Sequence, residues 1–277
     1  MLELPRLHAA RYLQPLREGG SLPAVVETED GLYVAKFRGA GQGAGALVAE
    51  LIAGGLALEL GLPLPQPALI EVAPEFGDGE PDPEIRELLH ASPGTNMGLR
   101  YLDGAFNYDG YAASDLIPPA LAAEIVWFDG LITNPDRTHR NPNLMVWERR
   151  PWLIDHGTSL YAHHDWDNVD EERTRTPFPL IAHHVLLAKA EGLEEADARL
   201  APLLSGDVID GVLAAVPDDL LLDPHFARGE TSAAAARERY RRYLRTRLAE
   251  PRAWMRTAMG AQDEARRNPP QRKRARR

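Results

Sequence analysis

Apolar positions change period along the chain, and each change predicts an element. Residues 22–37 carry two β-branched and aromatic runs, LPAVVET and LYVAKF, joined by Glu29-Asp30-Gly31, which predicts a β-hairpin. A glycine- and alanine-rich link, Gly39 to Gly45, leads into LVAELIAGGLALELG, whose spacing predicts a helix ended by Gly61 and Pro63. PQPALIEVA, entered through prolines, predicts another strand. Residues 74–84 are acidic and proline-rich and predict a surface loop; a short helix over Pro83–His90 and a short strand over Leu99–Leu102 follow.

The second half has mainly helical spacing. Pro118-Pro119 precede ALAAEIVWFDGLIT, a helix with a broad apolar surface, and further helices are predicted over 178–192, 194–204, 206–215 and 232–259. Pro135 and Pro142 keep Asn134 to Asn143 out of regular helix. LMVWE and PWLID, on either side of Arg149-Arg150, predict a second hairpin. No internal repeat is visible. The expectation is an α+β chain of two lobes around a cleft: a small sheet lobe with one helix (1–105), a larger helical lobe (106–260), and a tail (261–277).

Composition narrows the chemistry. With 277 residues the chain can bury a sizeable core without staples, and the absence of cysteine removes disulfides, thiolate nucleophiles and cysteine-based metal sites. The N-terminus MLELPRLHAARYLQP has no signal-peptide core, and no apolar run approaches a membrane span, so a cytoplasmic location is expected. The net charge is −10, but the last twelve residues hold seven Lys or Arg and no acid, so the rest of the chain stands at −17. An acidic body argues against a broad nucleic-acid groove. The tail RRNPPQRKRARR reads as disordered, with binding to an acidic partner as a sharper alternative.

The strongest chemical signal is NPDRTHRNPN (134–143) followed by LIDHG (153–157). Asp136 and Asn141 stand five positions apart, the interval of a kinase catalytic loop, and Asp155 follows a short hairpin and stands two residues before Gly157. Phosphoryl transfer needs one carboxylate to orient the acceptor hydroxyl, and a second carboxylate with an amide oxygen to hold magnesium on the phosphates. Lys36, in Val34-Ala-Lys-Phe on a predicted strand, resembles a phosphate-binding lysine, and Glu50 on the next helix is placed to pair with it, with Glu59 as rival. Gly19-Gly20-Ser21 offers backbone amides to a phosphate, although it is neither G-x-G-x-x-G nor a Walker A sequence.

FDGLITNPDRTHRNPNLMV with PWLIDHG resembles the HipA-like kinases and, more distantly, the phosphoinositide kinases. The resemblance covers roughly residues 10–250 and implies a protein-kinase-like fold with ATP and Mg2+ between the lobes. It implies Asp136 as catalytic aspartate, Asn141 and Asp155 as metal ligands, Lys36 as the phosphate lysine and Arg140 as a neutraliser of the γ-phosphate. Arg100, Tyr101 and Leu102 fall where an adenine hinge belongs, and Ser21, in the phosphate loop, becomes a candidate for autophosphorylation. The acceptor it implies is a protein serine or threonine hydroxyl, with a lipid or small-molecule hydroxyl as alternative. One departure is Thr138, which stands where many relatives carry histidine; His139 comes one later.

Rival readings remain. His163-His164 and His183-His184 have no zinc-site spacing, Asp129 paired with Asp136 would suit a glycosidase but lies inside a helix, and no G-x-S-x-G occurs. A nucleotide-binding pseudokinase acting as an interaction module, and a basic-tailed DNA-associated regulator, are the readings from other classes.

Overall fold

The first sheet is built on a period of two, and that period divides its faces. The computed structural model describes residues 2–16, 22–110, 113–227 and 229–267. Six strands, β1 (Arg6–His8), β2 (Arg11–Pro15), β3 (Ala24–Thr28), β4 (Gly31–Lys36), β5 (Pro67–Val72) and β6 (Gly94–Arg100), form a sheet in the order β1-β5-β6-β4-β3-β2. All neighbours run antiparallel except β1 and β5. Tyr33 and Ala35 of β4 join Ala68 and Ile70 in a small core on one face, to which helix α2 (Pro83–His90) supplies Ile85, Leu88 and Leu89. Alternation therefore sends Lys36 to the other face, level with its register partner Met97.

That other face is covered by α1 (Gly43–Glu59), which is buried nearly all round. A helix apolar on every side needs partners on every side. The sheet supplies one. The others come from α6 (Gly206–Ala214) and α7 (Asp218–Leu221), later in the chain. Arg38 adds a polar tie, donating to Asp219 at 2.8 Å and to Asp223 at 2.7 Å. Gly45 is required here, because the Phe226 ring lies 2.7 Å from where a Cβ would be.

The helical part is centred on α3 (Pro119–Leu131), whose Trp127 and Phe128 are fully buried. A three-stranded sheet of β7 (Phe106–Asn107), β8 (Leu144–Trp147) and β9 (Arg150–Leu153) adds Leu144, Val146 and Leu153 to the same core, its β8–β9 turn made by Glu148 and Arg149, both at positive φ. Beyond α4 (Glu171–Thr174) and α5 (Leu193–Leu200), the long helices α8 (Ala233–Leu248) and α9 (Ala253–Arg267) complete the body. No helix among the described residues is long and apolar enough to cross a membrane.

Several sequence expectations are corrected. Residues 178–192 hold only a 3-10 turn, Pro179–His183, because its end is drawn to other partners: His184 to Asp129, and the Val185 N–H to the Arg137 carbonyl. The helix expected over 232–259 is two, separated around Pro251, and the second continues to Arg267. Residues 261–267, expected in the tail, are therefore helical: Gln262 donates to the carbonyls of Leu187 (3.2 Å) and Ala190 (2.6 Å). Residues 268–277 lie outside the described residues. The strand expected over Leu99–Leu102 begins earlier, at Gly94, and ends at Arg100. Its first half reads as turn sequence, but Asn96 bonds the Ser92 and Gly94 carbonyls, and Gly98 makes room for Ile70, 2.8 Å from a would-be Cβ. Strands β1 and β2 are short and largely exposed, so the apolar pattern does not announce them.

Trp254 of α9 packs edge-on against Trp127, with ring centroids 5.5 Å apart. Trp254→Ala should lower the unfolding free energy by about 3–5 kcal/mol, as other large core truncations do. Urea denaturation checks this, and a loss below about 1 kcal/mol, far short of that range, would mean that α9 is not docked as described.

Candidate active site

Lys36 ends β4 and reaches across to α1, where it is hydrogen-bonded to Glu50 and lies 2.6 Å from Asp155 Oδ1. Its side chain is 12% exposed and that of Glu50 only 1%, so this pair is nearly dry, while Asp155, 35% exposed, opens the triad to solvent. Burial disfavours the ammonium, but the Glu50 and Asp155 carboxylates outweigh it and raise the Lys36 pKa. Burial likewise disfavours the Glu50 carboxylate; Lys36 first, then His156, reverse that and hold it well below the usual range. Glu59, the rival partner, ends the same helix.

Asp136 lies in the loop after α3, half-buried. Its Oδ2 accepts from Asn141 Nδ2 at 2.8 Å and from Asn143 Nδ2 at 3.1 Å. Asn143 also approaches the Asp155 carbonyl at 3.5 Å, so one amide links the two acidic loops. Desolvation is the largest influence on the Asp136 carboxyl and raises its pKa; the Asp155 charge adds, while the two asparagines and Arg137 oppose. A raised pKa makes it a better proton acceptor than a solvated aspartate. The loop is shaped by short-range bonds: Asn134 Oδ1 accepts the Asp136 N–H at 3.0 Å, and Thr138 Oγ1 accepts those of Arg140 and Asn141 at 3.3 Å. Thr133, Asn143 and Asp155 all adopt left-handed backbone (φ 53°, 47° and 55°), a cost concentrated where the acidic loops turn.

Beneath the loop runs a buried polar network. Arg137, 1% exposed, donates through Nε to Asp129 Oδ2 at 2.5 Å, and through Nη1 to the Asn143 carbonyl. Its Nη2 contacts His156 Nε2 at 2.9 Å. Asp129 also meets His184 Nε2 at 2.9 Å and Asn134 Nδ2 at 3.0 Å. Burial alone would raise the Asp129 pKa, but Arg137 and His184 hold it well below the usual range. Asp129 thus anchors the loop from below and is no partner for Asp136 in acid–base chemistry.

Lys36, Glu50, Asp136, Asn141 and Asp155 are brought to one place. Arg140 is on the same loop, exposed, and forms no ion pair among the described residues. The Arg100 side chain is tied to Asp30 at 2.8 Å and lies over the Tyr33 ring, at the far end of β4 from Lys36; Tyr101 and Leu102 follow it, and the Tyr101 N–H bonds the Leu32 carbonyl. Gly19, Gly20 and Ser21 lie outside the described residues. Sequence reasoning missed Arg137, Asn143 and His156. Arg137 and His156 adjoin the two aspartates, and a buried role for them leaves no periodic trace. Asn143 had a signal, since it follows proline just as Asn141 precedes it.

The side-chain oxygens of Asp136, Asn141 and Asp155 are hard donors of the kind magnesium takes, and magnesium needs few protein ligands. Among the described residues no cluster of three or more His, Asp or Glu forms a dedicated metal cage. Two carboxylates and an amide oxygen are the kind of donor set that suits an ion shared with a phosphate chain.

Residues 10–175 match the model of the HipA-like kinase family. No curated protein sequence matches the chain. Among solved structures it is similar to the proinflammatory kinase CtkA of Helicobacter pylori, with TM-score 0.55 and 10% identity, over 94% of this chain and 98% of that one. At that identity the likeness is one of fold: a curled N-terminal sheet with a helical C-terminal part.

Asp129→Asn keeps the shape of the anchor but leaves the Arg137 guanidinium buried without its opposite charge. Breaking such a pair from one side costs about 3–5 kcal/mol, and chemical denaturation should show a loss of that size. The depressed carboxyl pKa also sets a sign. The Asp129 contribution is present above the ordinary carboxylate range and is lost as pH falls through the lower folded value. The variant should accordingly be less sensitive to acid than the wild type.

Proposed function

The chain belongs to the HipA-like kinase family, and on that premise we propose that it transfers the γ-phosphoryl group of ATP to a hydroxyl, with protein serine or threonine as the acceptor class. The observation that carries this reading is the Lys36 ammonium held between Glu50 and Asp155, with Asp136 clamped by Asn141 and Asn143 beside it. Those are the charges phosphoryl transfer needs, and the burial of Lys36 and Glu50 strengthens them.

In this reading Lys36 positions the phosphate chain. Its raised pKa keeps it cationic throughout the physiological range. Glu50 holds Lys36 from the helix side. Asp155 and Asn141 would hold magnesium, which supplies charge neutralisation on the phosphates. Asp136 accepts a hydrogen bond from the incoming hydroxyl, orients its oxygen toward the γ-phosphorus, and takes its proton as the oxygen–phosphorus bond forms and the β–γ bridge breaks. Arg140, exposed at the rim, is the free cation of the loop and is assigned to the γ-phosphate. Arg100 to Leu102, at the end of β6, are assigned to the adenine side. Protein hydroxyls are favoured over lipid or small-molecule hydroxyls on family grounds.

Two experiments test the proposal. Asp136→Asn should retain ATP binding, because the phosphate contacts belong to other residues, while phosphate transfer falls by about 10²- to 10⁴-fold, the usual weight of a general base. Turnover within about tenfold of wild type, short of that loss, removes Asp136 from the chemistry. Asp155→Ala should abolish the magnesium dependence of ATP affinity in calorimetry; equal wild-type affinity with and without magnesium contradicts the metal assignment.

A further inference from the structure

His156 is completely buried, and its two ring nitrogens face two different parts of the site. Nε2 lies 2.9 Å from Arg137 Nη2. A guanidinium has only donors, so the imidazole nitrogen must be the acceptor there and carries no proton. A neutral ring then has its one N–H on Nδ1. Nδ1 faces Glu50 Oε2 at 3.7 Å, and neither atom has a hydrogen-bond partner among the described residues. Two buried polar groups with no other partner are drawn together, since each left alone bears its desolvation cost. The edge of the ring is also held, packed against Phe128 with centroids 5.8 Å apart.

Glu50 thus divides its oxygens: Oε1 faces Lys36, and Oε2 faces His156. We infer that His156 is a positioning residue, fixed in the Nδ1–H form by Arg137, which orients the Glu50 carboxylate and so aims Lys36 at the phosphates. In the series Lys36, Glu50, His156, Arg137, Asp129 only the imidazole can either donate or accept at a given nitrogen, and Arg137 on one side and Glu50 on the other decide which it does. The series joins the phosphate lysine of the sheet to the residue adjoining Asp136 in the loop. The imidazole lies between the two halves of the series, facing Glu50 through Nδ1 and Arg137 through Nε2. This inference rests on the proposed function for its kinetic consequence, but its geometry stands independently.

Two arms test it, and the first needs no activity. In the full-length wild-type protein with 15N-labelled histidine, NMR should show His156 protonated on Nδ1 and bare on Nε2, the reverse of the tautomer favoured by imidazole in water. A His156 ring protonated on Nε2 overturns the inference. The second arm is kinetic. His156→Phe keeps an aromatic ring against Phe128 and loses both nitrogens. It should lower kcat about 10- to 100-fold, the range for outer-shell groups that orient a functional side chain, with KM for ATP changed less than about threefold on the same reasoning. His156→Asn, whose amide can donate from near the Nδ1 position, should recover part of that kcat. A variant that only loses thermal stability, with kcat intact while folded, overturns the positioning role. If His156→Phe does not fold, the comparison of His156→Asn with wild type and the NMR arm still decide. Loss of all ATP turnover by the wild type would count against the proposed function, whereas a wrong tautomer counts against this inference alone.

Discussion

The Arg137 guanidinium is buried among α3, the loop after it and the segment that follows β9, and the polar contacts beneath the two acidic loops answer to that one charge. An arginine cannot shed its proton, so its burial has to be met by partners. Asp129 supplies the opposite charge from within α3, the Asn143 and Ile154 carbonyls take further donors, and His156 takes another. Those partners lie on separate segments, and meeting them fixes how the segments lie against each other. The half-buried carboxylates of Asp136 and Asp155 are held at the edge of a structure whose rigidity is generated beneath them.

The second constraint is the wrapping of α1. In this chain the helix that carries Glu50 is closed in by the sheet on one side and by α6 and α7 on another, with Arg38 and Phe226 sealing its N-terminal end. A helix buried on this scale cannot swing out without exposing a large apolar surface. The Lys36–Glu50 pair is consequently held from within the packed core. Gly157 belongs to the same arrangement: a Cβ there would lie 3.4 Å from the Ala46 Cβ, so the segment after Asp155 rests directly on the small-residue face of α1.

The candidate acids Asp136 and Asp155 sit on loops while Asp129, Glu50 and Lys36 sit on regular elements, and the division has a physical basis. Asp136 and Asp155 need accessible carboxylates and unusual backbone, which loops provide. Asp129, Glu50 and Lys36 need fixed positions in low dielectric, where a helix or strand holds the backbone. Strain at Thr133, Asn143 and Asp155 is tolerated because the network around Arg137 determines those turns from several directions.

The sequence by itself determined the elements whose signal is local. The β3–β4 hairpin, α1, α2, α3 and the β8–β9 hairpin lie close to where apolar period, proline and glycine put them, because each depends on neighbours a few residues away. The aspartates in NPDRTHRN and LIDHG, Lys36 at the end of an apolar strand and Glu50 among alanines were legible for the same reason: chemistry-bearing side chains at fixed short intervals. What only the tertiary structure decided depends on partners far along the chain. Residues 178–192 have helical spacing but give up a helix so that His184 can reach Asp129, 55 positions earlier. Residues 261–267 look like part of a charged tail until Gln262 finds the Leu187 and Ala190 carbonyls. Asp129, read from sequence as a polar residue in a helix, becomes the counter-charge of a buried arginine. His156, one residue after Asp155, is met from different sides by a helix glutamate and a loop arginine only in the folded chain. No periodicity encodes such meetings; they follow from which surfaces the folded chain buries together.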